Sequence, residues 1–166
     1  MFVGFVVTLG LGCGRIGFGV SEPTDGSSGD SIDGPGGDAG FLDGPAACLT
    51  NPSYVTVGGL TSKYKPGGID LSWPAAKAAC EADGAYLPIL DDAAEANNSI
   101  IGDWVGITDV AVEGVWMTVK GDPAPFEPWE PGEPDGGTTE NCGRLEDNQL
   151  ESRDCADTRD YSCECS

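Results

Sequence analysis

The last third of the chain constrains the fold most. There Trp129-Glu130-Pro131-Gly132-Glu133-Pro134-Asp135 runs through a short polar loop into Glu140-Asn141-Cys142, then to Cys155 and Cys163. A Gly/Pro turn packed with carboxylates is set inside a cysteine frame. A hard cation such as Ca²⁺ takes about six to eight oxygens, and an irregular loop aims several carboxylates at one point only if something pins it. Cys142 and Cys155, if paired, are a suitable pin, contributing roughly 2–4 kcal/mol. The competing reading is an acidic, solvated loop in an acidic protein.

The balance of 28 Asp+Glu against 8 Lys+Arg gives a net charge of −20. That charge argues against nucleic-acid binding and against attraction to anionic membranes. The chain has no histidine, so His-based acid–base chemistry, Ser-His and Cys-His nucleophile pairs and the usual zinc ligand sets other than all-cysteine ones are excluded. With 166 residues, one core of ordinary size is expected.

Composition divides the chain in three. Met1 to Gly12 is almost wholly apolar and ends at Gly12-Cys13-Gly14. It is too short to span a bilayer and reads as a signal segment over residues 1–20. A cysteine after small residues at the end of such a run resembles the bacterial lipoprotein signal, which implies lipidation at Cys13. No Lys or Arg precedes the apolar run, and Gly10 stands where a branched apolar residue is usual. Residues 21–47 are nearly all Gly, Ser, Asp and Pro; they bury too little apolar surface to offset chain entropy and read as a disordered tether. Residues 48–166 form the remaining domain.

Within that domain Tyr54 to Val57 alternates as an opening strand. Ser72 is a candidate N-cap, Pro74 fits the first helical turn, Ala75 to Asp83 is rich in helix-forming Ala, and Gly84 can cap the end. Trp73, Ala76 and Cys80 fall on one helical face. Asp92 with Glu95 predicts a capping box for a second helix running to about Ile100. Short strands and Gly/Pro-rich loops follow Trp104, so an α+β domain with small antiparallel sheets is expected.

Trp104-Val105-Gly106-Ile107, Gly114-Val115-Trp116, Phe126 and Trp129 precede the acidic loop in that order, with Cys80 on the helix before them. This series, with its cysteine spacing, resembles the C-type lectin-like domain over about residues 50 to 166. Trp104 to Ile107 resembles that family's Trp-Ile-Gly-Leu signature. Glu133-Pro134-Asp135 resembles its Glu-Pro-Asn sugar-and-calcium tripeptide, with Asp in the last place. Parity leaves six cysteines once Cys13 is set aside, and sequence alone does not pair them. The resemblance implies Cys80 with Cys163 and Cys142 with Cys155, leaving Cys48 and Cys165 at the ends of the domain.

The resemblance also implies a site. Glu133 and Asp135 flank a cis Pro134 and share one Ca²⁺ with Glu140, two positions before Cys142. The family's Trp-Asn-Asp motif falls on Leu150-Glu151-Ser152, so Glu151 and Ser152 complete the metal set, and Glu133, Asp135, Glu140 and Glu151 also face the sugar. Ser152 is a departure, since it offers only a hydroxyl and a carbonyl where the family has a carboxylate; Asp154 is a possible substitute. Trp104, Trp116 and Trp129 are expected in the core rather than as a sugar-stacking platform, while Tyr161 is left open between the two. A calcium-dependent module binding a glycan or glycoprotein is therefore expected. It would be extracytoplasmic, lipid-anchored at the cell envelope or secreted, and would meet the membrane only through its lipid. The alternative is a lectin-like domain without sugar binding, serving protein interaction or surface structure; Leu150 and Ser152 favour it. A hydrolase using Glu133 and Glu140 ranks last, because the short chain offers no extended cleft, so no enzyme activity is expected.

Overall fold

The computed structural model describes residues 46–166. The signal segment, Cys13 and the tether up to residue 45 lie outside the described residues. Ala47, assigned above to the end of the tether, already belongs to a one-turn helix, α1 (Ala47–Thr50), which carries Cys48.

Among the described residues, three small antiparallel sheets and two further α-helices follow. β1 (Val55–Thr56), β2 (Lys63–Pro66) and β9 (Ser162–Cys165) form one sheet in the order β1-β2-β9. β3 (Leu71–Ser72) pairs with β8 (Thr158–Arg159). β4 (Trp104–Thr108), β5 (Met117–Thr118), β6 (Cys142–Glu146) and β7 (Gln149–Arg153) form the third, in the order β5-β4-β6-β7. The expected α+β class with small antiparallel sheets is found.

The helix α2 (Trp73–Glu81) starts after Ser72, whose backbone is extended but whose side chain makes no capping bond. At its end Ala85 N–H donates to Cys80 O at 3.0 Å and Gly84 N–H to Glu81 O at 2.9 Å, with Gly84 at φ 70°. That is the Schellman arrangement, which needs a left-handed residue where Gly84 stands. Trp73, Ala76 and Cys80 are all buried, and Trp73 Nε1 donates to Val105 O at 2.8 Å, tying the helix to β4.

The second helix is shorter than expected. α3 covers only Ala93–Ala96. Asp92 caps it, its Oδ1 accepting from Ala94 N–H at 2.7 Å and Glu95 N–H at 3.1 Å. Glu95 does not return to the cap residue; it accepts from Asp91 N–H at 2.5 Å and from the Tyr64 hydroxyl. The run to Ile100 fails at Asn98, whose Oδ1 accepts from Ile100 N–H at 3.1 Å and so offers the backbone a turn in place of helix.

Two hydrophobic clusters meet at β4. One holds Trp73, Cys80, Leu87, Trp104 and Tyr161 around α2; the other holds Tyr64, Val105, Ile107, Trp116, Leu145 and Leu150. Trp104 and Trp116 are buried, Trp129 is half-buried with its ring 4.7 Å from that of Trp116, and Tyr161 is buried. These rings pack rather than present a platform. Gly106, in the middle of β4, lies where a Cβ would come within 2.4 Å of Leu87 O. Gly106→Ala is expected to destabilise the domain by about 1–3 kcal/mol through overpacking against backbone, read as a lowered urea midpoint with an unchanged slope.

The disulfides join Cys80 to Cys163 and Cys142 to Cys155, the two pairs that the resemblance implies, and Cys48 to Cys165, the two cysteines it leaves at the ends of the domain. Two of them leave from β9. Between their cysteines Glu164 is also buried, accepting from Ser62 Oγ at 2.7 Å, Ile89 N–H at 2.9 Å and Tyr86 OH at 3.0 Å. Burial pushes its carboxyl above the ordinary value of 4.5 despite these bonds. The folded state thus holds this proton more tightly than the unfolded state. Its contribution is fully present below 4.5 and is lost as pH rises through the raised value. The melting temperature of the wild type relative to Glu164→Gln is therefore expected to rise as pH falls from neutrality towards 4.5. A difference that stays constant across thermal melts in that window would contradict this account.

Candidate functional site

The acidic loop is positioned by the β6–β7 hairpin. Pro128 to Glu130 runs beside the start of β7, with Leu150 N–H donating to Pro128 O at 2.8 Å and Glu130 N–H to Leu150 O at 2.9 Å. Leu150, standing where the family has Trp, is fully buried and fills that place in the core. The chain then turns at Gly132, and the Glu133–Pro134 peptide is cis. A single 3₁₀ turn, Gly137–Thr139, leads to Glu140. Cys142 opens β6 directly across from Arg153, and the Cys142–Cys155 bond closes the hairpin.

The loop is sewn to β7 through Ser152. Glu133 Oε2 accepts from Ser152 N–H at 2.9 Å and from its Oγ at 2.8 Å. Ser152 Oγ in turn accepts from Asp135 N–H at 3.3 Å and Gly136 N–H at 3.4 Å. Burial pushes the Glu133 carboxyl up, but the Ser152 bonds and the charge of Arg153 outweigh it and hold the group below its ordinary value. Glu133 is therefore a firmly ionised anchor.

A residue that the sequence reading passed over lies between the carboxylates. The Arg153 guanidinium places Nη1 3.5 Å from Glu133 Oε1 and 3.9 Å from Glu140 Oε2, and its Nη2 pairs with Glu151. Nη1 also donates to Ser152 O at 2.7 Å. Glu151 has a second cation, Arg144, at 3.1 Å; Arg144 sits opposite it across the hairpin and also reaches Glu146 at 2.5 Å and Asp103 at 3.4 Å. Burial pushes the Glu151 carboxyl up, as does a hydrogen bond with Glu130, against the pull of the two arginines.

Three of the sequence-expected residues, Glu133, Glu140 and Glu151, thus come together on Arg153. Ser152 joins them as a hydrogen-bonding post. Asp135 is exposed and reaches the cluster only through its backbone. Asp154 does not stand in for Ser152; its Oδ1 accepts from Ala156 N–H at 2.9 Å in the next turn. The signal for Arg153 in the sequence is a basic residue two places before Cys155 in a strongly acidic stretch.

The donor set does not fit a calcium ion as it is arranged. Calcium needs several free oxygens converging at about 2.3–2.6 Å. Here Glu133 Oε2 and the Ser152 carbonyl are occupied by N–H and O–H donors, and a guanidinium charge lies among the carboxylates. Among the described residues no three acidic, cysteine or histidine side chains form a metal-holding group. A separate hollow of about 460 Å³, lined by Ser62, Tyr86, Lys120, Asp122 and Glu164 among others, lies outside this loop.

Two short helical segments around a longer helix, three small sheets, a cysteine-closed hairpin and a cis-proline acidic loop define an α+β domain with a long loop region. The chain belongs to the lectin C-type domain family, whose model matches residues 69–165. Human C-type mannose receptor 2 is 31% identical over 103 residues, which are 56% of this chain and 7% of the receptor; the chain thus spans a small part of that relative. Among solved structures, a mouse scavenger receptor C-type lectin carbohydrate-recognition domain superposes with a TM-score of 0.61 at 22% identity, covering 68% of this chain and 93% of its own. A calcium-independent type II antifreeze protein superposes with a TM-score of 0.62 at 18% identity, covering 70% and 93%. At these identities the superpositions show the fold alone.

Ser152→Ala removes the one side chain that joins Glu133, Asp135 and Gly136 to β7. It is expected to cost about 1 kcal/mol and to speed amide exchange at Asp135 and Gly136, with exchange in β2 and β9 unchanged. Hydrogen-exchange measurements on both proteins check this.

Proposed function

We propose that this chain is a carbohydrate-binding module, with the loop from Glu133 to Glu140 and the facing part of β7 as its binding surface. The observation that carries the reading is the convergence of Glu133, Glu140 and Glu151 around Arg153 beside the cis Pro134 loop. Vicinal hydroxyls of a sugar both donate and accept. Carboxylate oxygens offer acceptors and a guanidinium offers donors in one plane, so the cluster can meet a diol from both sides. Membership of the lectin C-type domain family supports the same reading, as do the printed names of a mannose receptor and a carbohydrate-recognition domain among its relatives.

The module is proposed to work outside the cytoplasm. Three disulfides suit an oxidising compartment, and among the described residues no helix is long and apolar enough to cross a membrane. The apolar start, Cys13 and the Gly/Ser/Asp/Pro composition of 21–47 support a lipid-anchored or secreted protein. No catalytic role is proposed. A calcium-dependent form of this reading would use the same carboxylates, Glu133, Asp135, Glu140 and Glu151, with Ser152. A second reading, a surface module of this fold that binds no sugar, is favoured by Ser152, which replaces a family carboxylate, and by the likeness to an antifreeze protein described as calcium-independent.

The test is a glycan array probed with the full chain, once with calcium and once with EDTA. Binding to a defined set of glycans that falls at least tenfold in Glu133→Gln is expected. Absence of any glycan binding in both buffers, with the chain folded, would favour the second reading.

A further inference from the structure

We infer that Arg153 is a built-in cation that takes the place of calcium in this loop, so that the module holds its binding geometry without metal. The part of this inference that concerns sugar rests on the carbohydrate-binding reading; the part that concerns calcium rests on geometry alone. Three carboxylates come from three separate segments: Glu133 before the cis proline, Glu140 after the 3₁₀ turn, and Glu151 on β7. Such a cluster repels itself unless a positive charge lies inside it. The guanidinium of Arg153 pairs with Glu151 and lies 3.5 Å from Glu133 and 3.9 Å from Glu140.

The internal positive charge is smaller than that of the ion it replaces. One calcium ion would bring two positive charges. Arg153 brings one to the three carboxylates, and Arg144 adds a share of a second at Glu151 alone, because it also pairs with Glu146 and Asp103. These are two of only 8 basic residues in the chain. The neighbouring departure at Ser152 fits the same exchange: with a fixed arginine the fourth carboxylate is not needed, and the hydroxyl instead fastens the loop, donating to Glu133 and accepting from Asp135 and Gly136 N–H. The carbonyl of Ser152, another oxygen an ion could use, is taken by Arg153 Nη1 at 2.7 Å. Adjacent residues 152 and 153 therefore act as one substitution for the metal, one supplying the charge and the other the hydrogen bonds.

The guanidinium side chain keeps 26% of its surface exposed. A ligand at this surface would meet N–H donors of Arg153 where a metal-loaded loop offers a bare cation. Hydrogen bonding to hydroxyls would replace direct coordination, and the interaction would be insensitive to chelators.

Calorimetric titration of calcium chloride into the full chain, beside thermal melts in calcium and in EDTA, tests this on the wild type and on Arg153→Gln, Arg153→Lys and the double variant Ser152→Asp/Arg153→Gln. The wild type and Arg153→Lys are expected to show no binding heat at several millimolar calcium and the same melting temperature in both buffers. The double variant restores the carboxylate and removes the internal charge, and is expected to gain one site with a dissociation constant of about 10⁻⁴–10⁻³ M, the range of extracellular modules, and a melt that calcium raises. Sub-millimolar calcium binding by the wild type would overturn the inference even if every variant failed to fold. Glycan binding lost in EDTA would overturn it while leaving the carbohydrate reading intact. Glycan binding absent in both buffers would remove that reading and leave the titration to decide the role of Arg153.

Discussion

Strand β9 is the constraint on which the rest depends. In four residues it pairs with β2 along its whole length, anchors α2 through Cys163 and α1 through Cys165, and buries Glu164 against Ser62, Tyr86 and Ile89. All four of its residues are buried. Backbone pairing alone would leave a short strand of this kind marginal. Covalent links spanning 117 and 83 positions remove much of the freedom of the unfolded chain, the more so because the rings are large. The small sheets can then be short and the loops long without loss of a defined core.

The third disulfide does a different job. It spans only 13 positions and acts on one hairpin, fixing Cys142 and the end of β7 so that Glu140, Glu151 and Arg153 stay together. The global frame and the local pin are thus separate. The first makes the domain fold; the second allows an irregular loop to hold like charges close to one another. Ser152 extends the pin by hydrogen bonds to the far side of the loop.

Much of this was legible in the residues. The Ala-rich α2 with Gly84 at its end follows from helix propensity and capping chemistry, and Trp73, Ala76 and Cys80 face the core as their spacing requires. Capping and helix propensity overstate the length of the second helix because they do not register the competition that Asn98 offers to the nearby backbone. At the loop, the carboxylates could be found from the tripeptide and from distance to cysteines. Arg153 is marked only as a basic residue near Cys155, and its role depends on three segments that only the folded hairpin assembles. Asp154 shows the same limit: its carboxylate is near in sequence, yet a turn to Ala156 claims it. Spacing picks out candidate ligands, but only cross-strand register decides which charges meet.

The Cys48–Cys165 bond has a further architectural consequence. It holds Cys48 on α1 and Cys165 on β9 with their Cα atoms 6.0 Å apart, and β9 belongs to a sheet different from the one that carries the loop. A domain whose entry and exit coincide makes few demands on its neighbours in a chain. It can be hung from a single stalk, or inserted between other domains as a side-bead, without stretching or rotating its acidic loop. Mechanical load applied through the backbone on either side would run across this one covalent bridge and bypass the hairpin.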